Sequence, residues 1–319
     1  MRIKLKRFSK CAGLLALLTF VLIIVGGATR VTDSGMACPD WPMCYGLLIP
    51  FPEPAGGYIV QGVHYQWWQV LLEWGHRLLA SVVGLGMLAL LIWGTILCKA
   101  NRKVLYFSIL STLLLASQIL LGGLTVLKSN IHWSVAAHLC NALLFFGSLI
   151  LLRKAAAQTG KVTKPNASGW YRTVLGVFSA SVLFTLLLGG MVASSHAGGL
   201  CGGLFDCNGQ WLPTGDWQQL LHMKHRFMAL ITVVLMAVLF VISRNQEPAL
   251  QKSGKGLAIL TLTQVAIGIV LLYSFGHYAS HYMWLSVFHL AWGTLLWMAC
   301  IGALAKVYMG LEGGFHDKH

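Results

Sequence analysis

Four histidines recur at matching places in the two halves of this 319-residue chain, each inside a long apolar segment. His76 lies in EWGHRLLASVVG and His138 in SVAAHLCNALLFF, 62 residues apart; His225 lies in HMKHRFMALITVV and His289 in LSVFHLAWGTLLW, 64 residues apart. A titratable side chain in such surroundings is costly and marks a candidate functional position. One intramembrane histidine reads most simply as a helix-to-helix hydrogen bond. Four at duplicated positions favour ligation: two neutral imidazoles on neighbouring helices at one depth can hold the axial positions of a heme iron in a dry bundle core. Glu73 precedes His76 by three residues and so lies one helical turn away on the same face. It reads either as a polar helix-end group satisfied by loop donors or as a proton-handling carboxylate. Arg77 and Arg226, each following its histidine, either extend toward the membrane surface or pair with heme propionates.

These residues must be positioned by membrane helices. A mean hydropathy of +0.71, with 57% hydrophobic and 10% charged residues, excludes an ordinary soluble domain. Apolar runs of spanning length place eight helices near residues 11–29, 68–98, 103–127, 132–153, 171–194, 218–243, 255–275 and 282–309. The net charge of +14 does not point to nucleic acid, because 18 of the 23 Lys and Arg lie in the N-terminus, alternate loops and the C-terminal tail. The clusters are Arg2 to Lys10, Lys99 to Lys103, Arg153 to Arg172, Arg244 to Lys255, and Lys306 with Lys318. The opposite loops carry Asp33, Asp40, Glu53, Asp206 and Asp216 against Arg30 and Lys128. This is the positive-inside pattern, with both termini cytoplasmic. The first apolar run lacks a convincing small-residue cleavage site and reads as a retained helix in a bacterial inner membrane.

The cysteines agree with that sidedness. Cys38 and Cys44 fall in the first outer loop and Cys201 and Cys207 in the third, each pair spaced by six. Disulfides persist on that side of the membrane, so two loop disulfides are expected. A redox-active dithiol stays open for one pair, and zinc is disfavoured by the lack of accompanying ligands. Cys11, Cys98, Cys140 and Cys300 read as small apolar fillers.

An internal duplication ties these features together. GGATRVTDSGMACPDWPMC aligns without a gap on GGMVASSHAGGLCGGLFDC; His76-Arg77 aligns on His225-Arg226, His138-Leu139 on His289-Leu290, and Gln118 on Gln264. Two tandem four-helix bundles follow, residues 1–155 and 156–319, related by an axis along the membrane normal. Equal depth pairs His76 with His138 and His225 with His289. The halves differ where Glu73 is replaced by His222, which suggests that one half holds a permanent cofactor and the other does chemistry. His222 is ambiguous, while His64, His132, His196, His277 and His281 are expected to be solvated.

GGATRVTDSGMACPDWP, EWGHR, GGLTV followed by AAHL, HMKHR and VFHL together resemble the heme A synthase family, over about residues 20–305. The resemblance implies an eight-helix, tandem-bundle membrane enzyme that oxidises one methyl group of heme O to a formyl group, giving heme A for terminal oxidases. Carried over, His76 and His138 flank the iron of substrate heme O, His225 and His289 ligate a resident heme b, and Glu73 is the catalytic carboxylate. Cys38–Cys44 matches the family's outer-loop cysteines, and Cys201–Cys207 a second pair found in some members. The implied partners are the farnesyltransferase that makes heme O and an unidentified electron-transfer protein; a homo-oligomer is compatible with the sequence. A non-catalytic diheme cytochrome b-type electron carrier explains the histidines equally but gives Glu73 no role. A heme exporter or chaperone predicts labile heme at both sites, and a plain transporter fits least.

Overall fold

The computed structural model describes residues 1–51, 53, 57–97, 99, 101–160, 162–275 and 279–312. His277, Cys98 and Lys318, named above, lie outside the described residues. Eight helices dominate: α1 (Arg2–Val31), α2 (Trp67–Leu97), α3 (Arg102–Leu127), α4 (His132–Ala157), α5 (Gly169–Ser194), α6 (Trp217–Ser243), α7 (Pro248–Ser274) and α8 (Ala279–Met309). All eight contain stretches long and apolar enough to cross a membrane. The architecture is nearly all-α and the protein is a multi-pass membrane protein.

Local sequence sets the helix ends. Asn101, Ser168 and Asp216 cap α3, α5 and α6 by accepting from the backbone N–H groups of Lys103, Tyr171 and Gln218. Pro248 sits in the first turn of α7, where its missing N–H leaves no bond unmade. Two helices start earlier than hydropathy alone suggests. The basic segment before residue 11 continues α1, because Lys and Arg are good helix formers that need no lipid. The segment before residue 255 does the same for α7, from its proline onward. The α1–α2 loop also contains a hairpin, β1 (Tyr58–Val60) with β2 (Val63–Tyr65), turning at Gln61-Gly62 with both residues at positive φ. A second short pair, β3 (Val162–Thr163) with β4 (Leu311–Glu312), ties the chain after α8 to the α4–α5 loop.

Packing follows the duplication. In the first half α1 packs on α2 and α4, and α3 packs on α2 and α4; in the second, α5 packs on α6 and α8, and α7 on α6 and α8. The halves meet through α1, α4, α5 and α8. In these four the most apolar window is 33% to 44% buried, against 11% to 22% in α2, α3, α6 and α7, so the latter form the lipid-facing flanks. Phe145, Phe146, Leu149, Phe178 and Trp297 fill the seam, and Trp297 Nε1 donates to the Leu143 carbonyl at 2.8 Å. Lipid tails are as apolar as these side chains, so close packing and such hydrogen bonds, each about 0.6 kcal/mol, hold the seam instead of water exclusion.

Two glycines fix how closely the halves approach. A Cβ on Gly27 would stand 2.4 Å from Leu290 Cδ2, and one on Gly190 would stand 2.9 Å from Leu139 Cδ2. Gly27 aligns with Gly190 and Leu290 with Leu139, so each half uses its α-helical glycine to receive a leucine of the other. Gly27→Val is therefore expected to destabilise the protein in detergent by about 1–3 kcal/mol through overpacking. Gly84→Val, where a Cβ meets nothing within 4 Å, serves as the control for helix propensity. Equal losses of Tm in the two variants would contradict this account of the seam.

Candidate functional site

The four candidate histidines occupy α2, α4, α6 and α8, and each presses its ring on a glycine of the helix before it. A Cβ built on Gly26 would lie 2.9 Å from His76 Cε1; on Gly122, Gly189 and Gly268 it would lie 3.1 Å from Cε1 of His138, His225 and His289. Any side chain there would force the ring to move, so these glycines are the seats of the imidazoles. In the sequence these glycines stand out only as part of the aligned repeat. All four rings are half-buried. His76 and His138 lie within electrostatic range of one another, as do His225 and His289.

Hydrogen bonding prepares a ligand nitrogen. His225 Nδ1 lies 3.1 Å from the Thr185 carbonyl, which can only accept, so Nδ1 carries the proton and Nε2 keeps its lone pair. Leu22, four residues before Gly26 as Thr185 is before Gly189, presents the matching carbonyl beside His76, although Nδ1 there closes no hydrogen bond. Gln118 Nε2 approaches His138 Nε2 at 3.1 Å, and Gln264 Nε2 approaches His289. Paired neutral imidazoles on facing helices suit the axial positions of a heme, and the donor set of each half fits one such group.

Outside each histidine pair sits a disulfide loop. Cys38–Cys44 and Cys201–Cys207 are both formed, as their spacing and sidedness predict. The loops share one design. Asp40 accepts from the backbone N–H of Tyr45 (2.6 Å) and Gly46 (2.9 Å), and Asp206 from that of Gly209 (2.6 Å). Tyr45-Gly46 and Asn208-Gly209 take positive φ and close the bridges Cys44–Leu47 and Cys207–Gln210. Positive φ is rare for a residue as large as Tyr45. Its hydroxyl is buried in the loop, and burial, reinforced by Tyr58, Tyr65 and the nearby carboxylates of Glu73 and Asp40, pushes it up to about 12. Tyr45 was not singled out from sequence.

The two arginines hold these loops. Arg77 donates to the carbonyls of Asp40 (2.5 Å), Cys38 (3.4 Å) and Met43, and Arg226 to those of Cys201 (2.8 Å), Asp206 (3.2 Å), Leu204 (3.4 Å) and Gly203. A guanidinium offers five donors in a fixed fork, which suits a ring of carbonyls. Only the first half adds a carboxylate. Glu73, 4% exposed, accepts from the Cys38 N–H at 2.8 Å and from Arg77 Nη2 at 2.7 Å. One loop amide and the Arg77 guanidinium of its own helix therefore satisfy it, one turn from His76. Among the described residues this is the only buried ion pair between a carboxylate and a Lys or Arg. His222 takes the equivalent place in the second half, buried and with Nδ1 lacking a hydrogen-bond partner.

The other histidines and cysteines divide. His64, His196 and His281 are exposed as expected, although His196 Nε2 contacts Arg30 Nη2 at 3.0 Å. His132 departs from the expectation of solvation: it is half-buried, with its ring 4.9 Å from that of Trp217. Cys300 is buried and Cys140 partly so, in line with a filler role; Cys11 is exposed and fills nothing, because that face of α1 turns outward.

The fold and site define a class: a two-bundle membrane protein with a seated histidine pair in each bundle, each beneath an arginine-clamped disulfide loop. The model of the family described as cytochrome oxidase assembly protein matches residues 10–301, and the chain belongs to that family. Among its relatives are proteins named heme A synthase. That of Halalkalibacterium halodurans is 28% identical, over 82% of this chain and 86% of the relative. Those of Shouchella clausii (27%; 73% of this chain, 75% of the relative) and Methylorubrum populi (29%; 81% and 77%) are similarly related.

The clamp predicts how Glu73 tolerates change. Glu73→Gln keeps an acceptor for the Cys38 amide and should cost about 1–2 kcal/mol. Glu73→Leu strands a buried guanidinium and should cost about 3–5 kcal/mol. Thermal unfolding of both variants in detergent measures the difference; equal losses would show that the pair does not hold the loop.

Proposed function

We propose that this chain is a heme A synthase of the bacterial inner membrane, with both termini cytoplasmic, that oxidises one methyl group of heme O to a formyl group. The observation that carries the reading is the asymmetry between two otherwise matching sites: both hold a seated histidine pair, and one alone adds a buried carboxylate. The names of the relatives support the same activity.

Residues 1–155 form the substrate half, in which His76 and His138 flank the iron of heme O. Residues 156–319 form the cofactor half, in which His225 and His289 would hold heme b. Heme b supplies one-electron transfer when bound. The fixed proton on His225 Nδ1 orients that ring for ligation. Arg77 and Arg226 act first as clamps of the outer loops, because their donors already meet loop carbonyls.

Methyl to formyl is formally the loss of four electrons and the gain of one oxygen atom at carbon, with protons released at each oxidation. Glu73 is the carboxylate placed to take a proton or orient water, one turn from His76 on α2. Its bonds to Arg77 and the Cys38 amide hold its two oxygens in place. The seats on Gly26 and Gly122 hold the flanking rings in place. The electrons leave through a partner protein, and the enzyme that attaches the farnesyl chain of heme O supplies the substrate.

Pigment extracted from protein co-expressed with a heme O supplier tests this directly. Wild type should yield heme A beside heme b. Glu73→Gln should accumulate heme O and retain heme b. Only heme b in the wild type would rule out the synthase and leave an electron carrier, and wild-type heme A in the variant would remove Glu73 from the chemistry.

A further inference from the structure

The bundle interior of the first half contains a polar chain that has no counterpart among the described residues of the second. Ser117 Oγ lies 2.9 Å from both Asn141 Oδ1 and the Leu114 carbonyl and shares its one proton between them, and Asn141 Nδ2 donates to Gln118 Oε1 at 2.7 Å and to the Leu114 carbonyl at 2.9 Å. With its carbonyl committed to Asn141, Gln118 must turn its NH2 group toward His138, where Nε2 is 3.1 Å away. A donor facing that nitrogen requires His138 Nε2 to accept. The lone pair that would bind iron is thus the one held by Gln118.

In the second half the brace is gone. Trp292, three residues after His289 as Asn141 is after His138, gives its Nε1–H to the Leu260 carbonyl at 3.1 Å. Leu260 lies four residues before Gln264, as Leu114 does before Gln118. Gln264 Oε1 is buried with no hydrogen-bond partner among the described residues. Its Nε2 lies almost equally far from His289 Nδ1 (3.3 Å), Nε2 (3.2 Å) and the backbone carbonyl (3.2 Å). An atom equidistant from both ring nitrogens is not on the Nε2 lone-pair axis, and the carbonyl offers that amide another partner. Gln264 therefore does not compete for the ligand nitrogen as Gln118 does.

We propose that Gln118, held by Asn141 and Ser117, is a positioning residue that caps the His138 lone pair and makes His138 the exchangeable axial ligand of the substrate half. Ligation at His138 must break the cap, so it is weaker than at His289 by about one hydrogen bond. The device belongs in the half that must take in substrate and let product go. It also frees one axial side of the substrate iron without any movement of the His76 seat. The inference rests on the assignment of the first half to heme O.

The test measures heme loss, not turnover. Purified protein carrying heme O and heme b is mixed with excess apo-globin, and the pigment remaining is separated by chromatography over time. Gln118→Met and Asn141→Leu should each slow the loss of heme O roughly fivefold, the equivalent of one net hydrogen bond, with heme b loss unchanged. Unchanged or faster loss of heme O, or equal slowing of both hemes, in whichever variant folds, would overturn the proposal; faster loss would mean that Gln118 aids ligation. Wild type carrying heme b alone would instead overturn the assignment of the substrate half, and this proposal with it.

Discussion

An imidazole ring inside a close-packed helix bundle needs a place where the neighbouring helix presents no side chain. Gly26, Gly122, Gly189 and Gly268 provide the four places, and the rest of the structure is arranged around them. Interiors are packed as densely as organic crystals, so a ring cannot be inserted where even a methyl group stands. Each glycine seat thereby sets the approach of α1 to α2, α3 to α4, α5 to α6 and α7 to α8. The next residue along α1 and α5 finishes the job, since Gly27 and Gly190 receive Leu290 and Leu139 from the opposite half. One Gly-Gly step thus seats a histidine within its own bundle and locks the two bundles together.

Duplication then explains why the site has two versions of everything. Both halves keep the seats, the arginine clamp and the disulfide loop, and the differences fall on residues that touch the histidines or the clamp. Glu73 becomes His222, which removes the buried carboxylate and its bond to the loop. Asn141 becomes Trp292, which removes the brace on the glutamine. A half that keeps a cofactor needs neither proton handling nor ligand exchange. A half that turns over substrate needs both. On the proposed assignment of the halves, the divergence of a few polar residues inside a shared packing scheme accounts for that division of labour.

Much of this was legible in the sequence because the repeat doubled each signal. The eight spans follow from apolar length, and both disulfides from the matched spacing of their cysteines. Helix starts were less legible, since hydropathy detects only the lipid-crossing part of α1 and α7. The glycine seats carry no chemistry of their own and emerge only when the opposing ring is placed. That Arg77 and Arg226 also donate to loop carbonyls is not legible in the sequence, because a guanidinium bound to loop carbonyls has no spacing signature. Tyr45 was missed for a similar reason: its place beside Glu73 depends on the turn after Cys44 and not on any helical period.

On the proposed reading, each half holds its own heme through its own histidine pair. Heme quantified per protein after His76→Ala and, separately, after His225→Ala tests it most directly. The first change should remove the heme O and heme A fraction and leave heme b, and the second should remove heme b and leave substrate heme bound. Loss of both pigments from either change, or of neither, would contradict it.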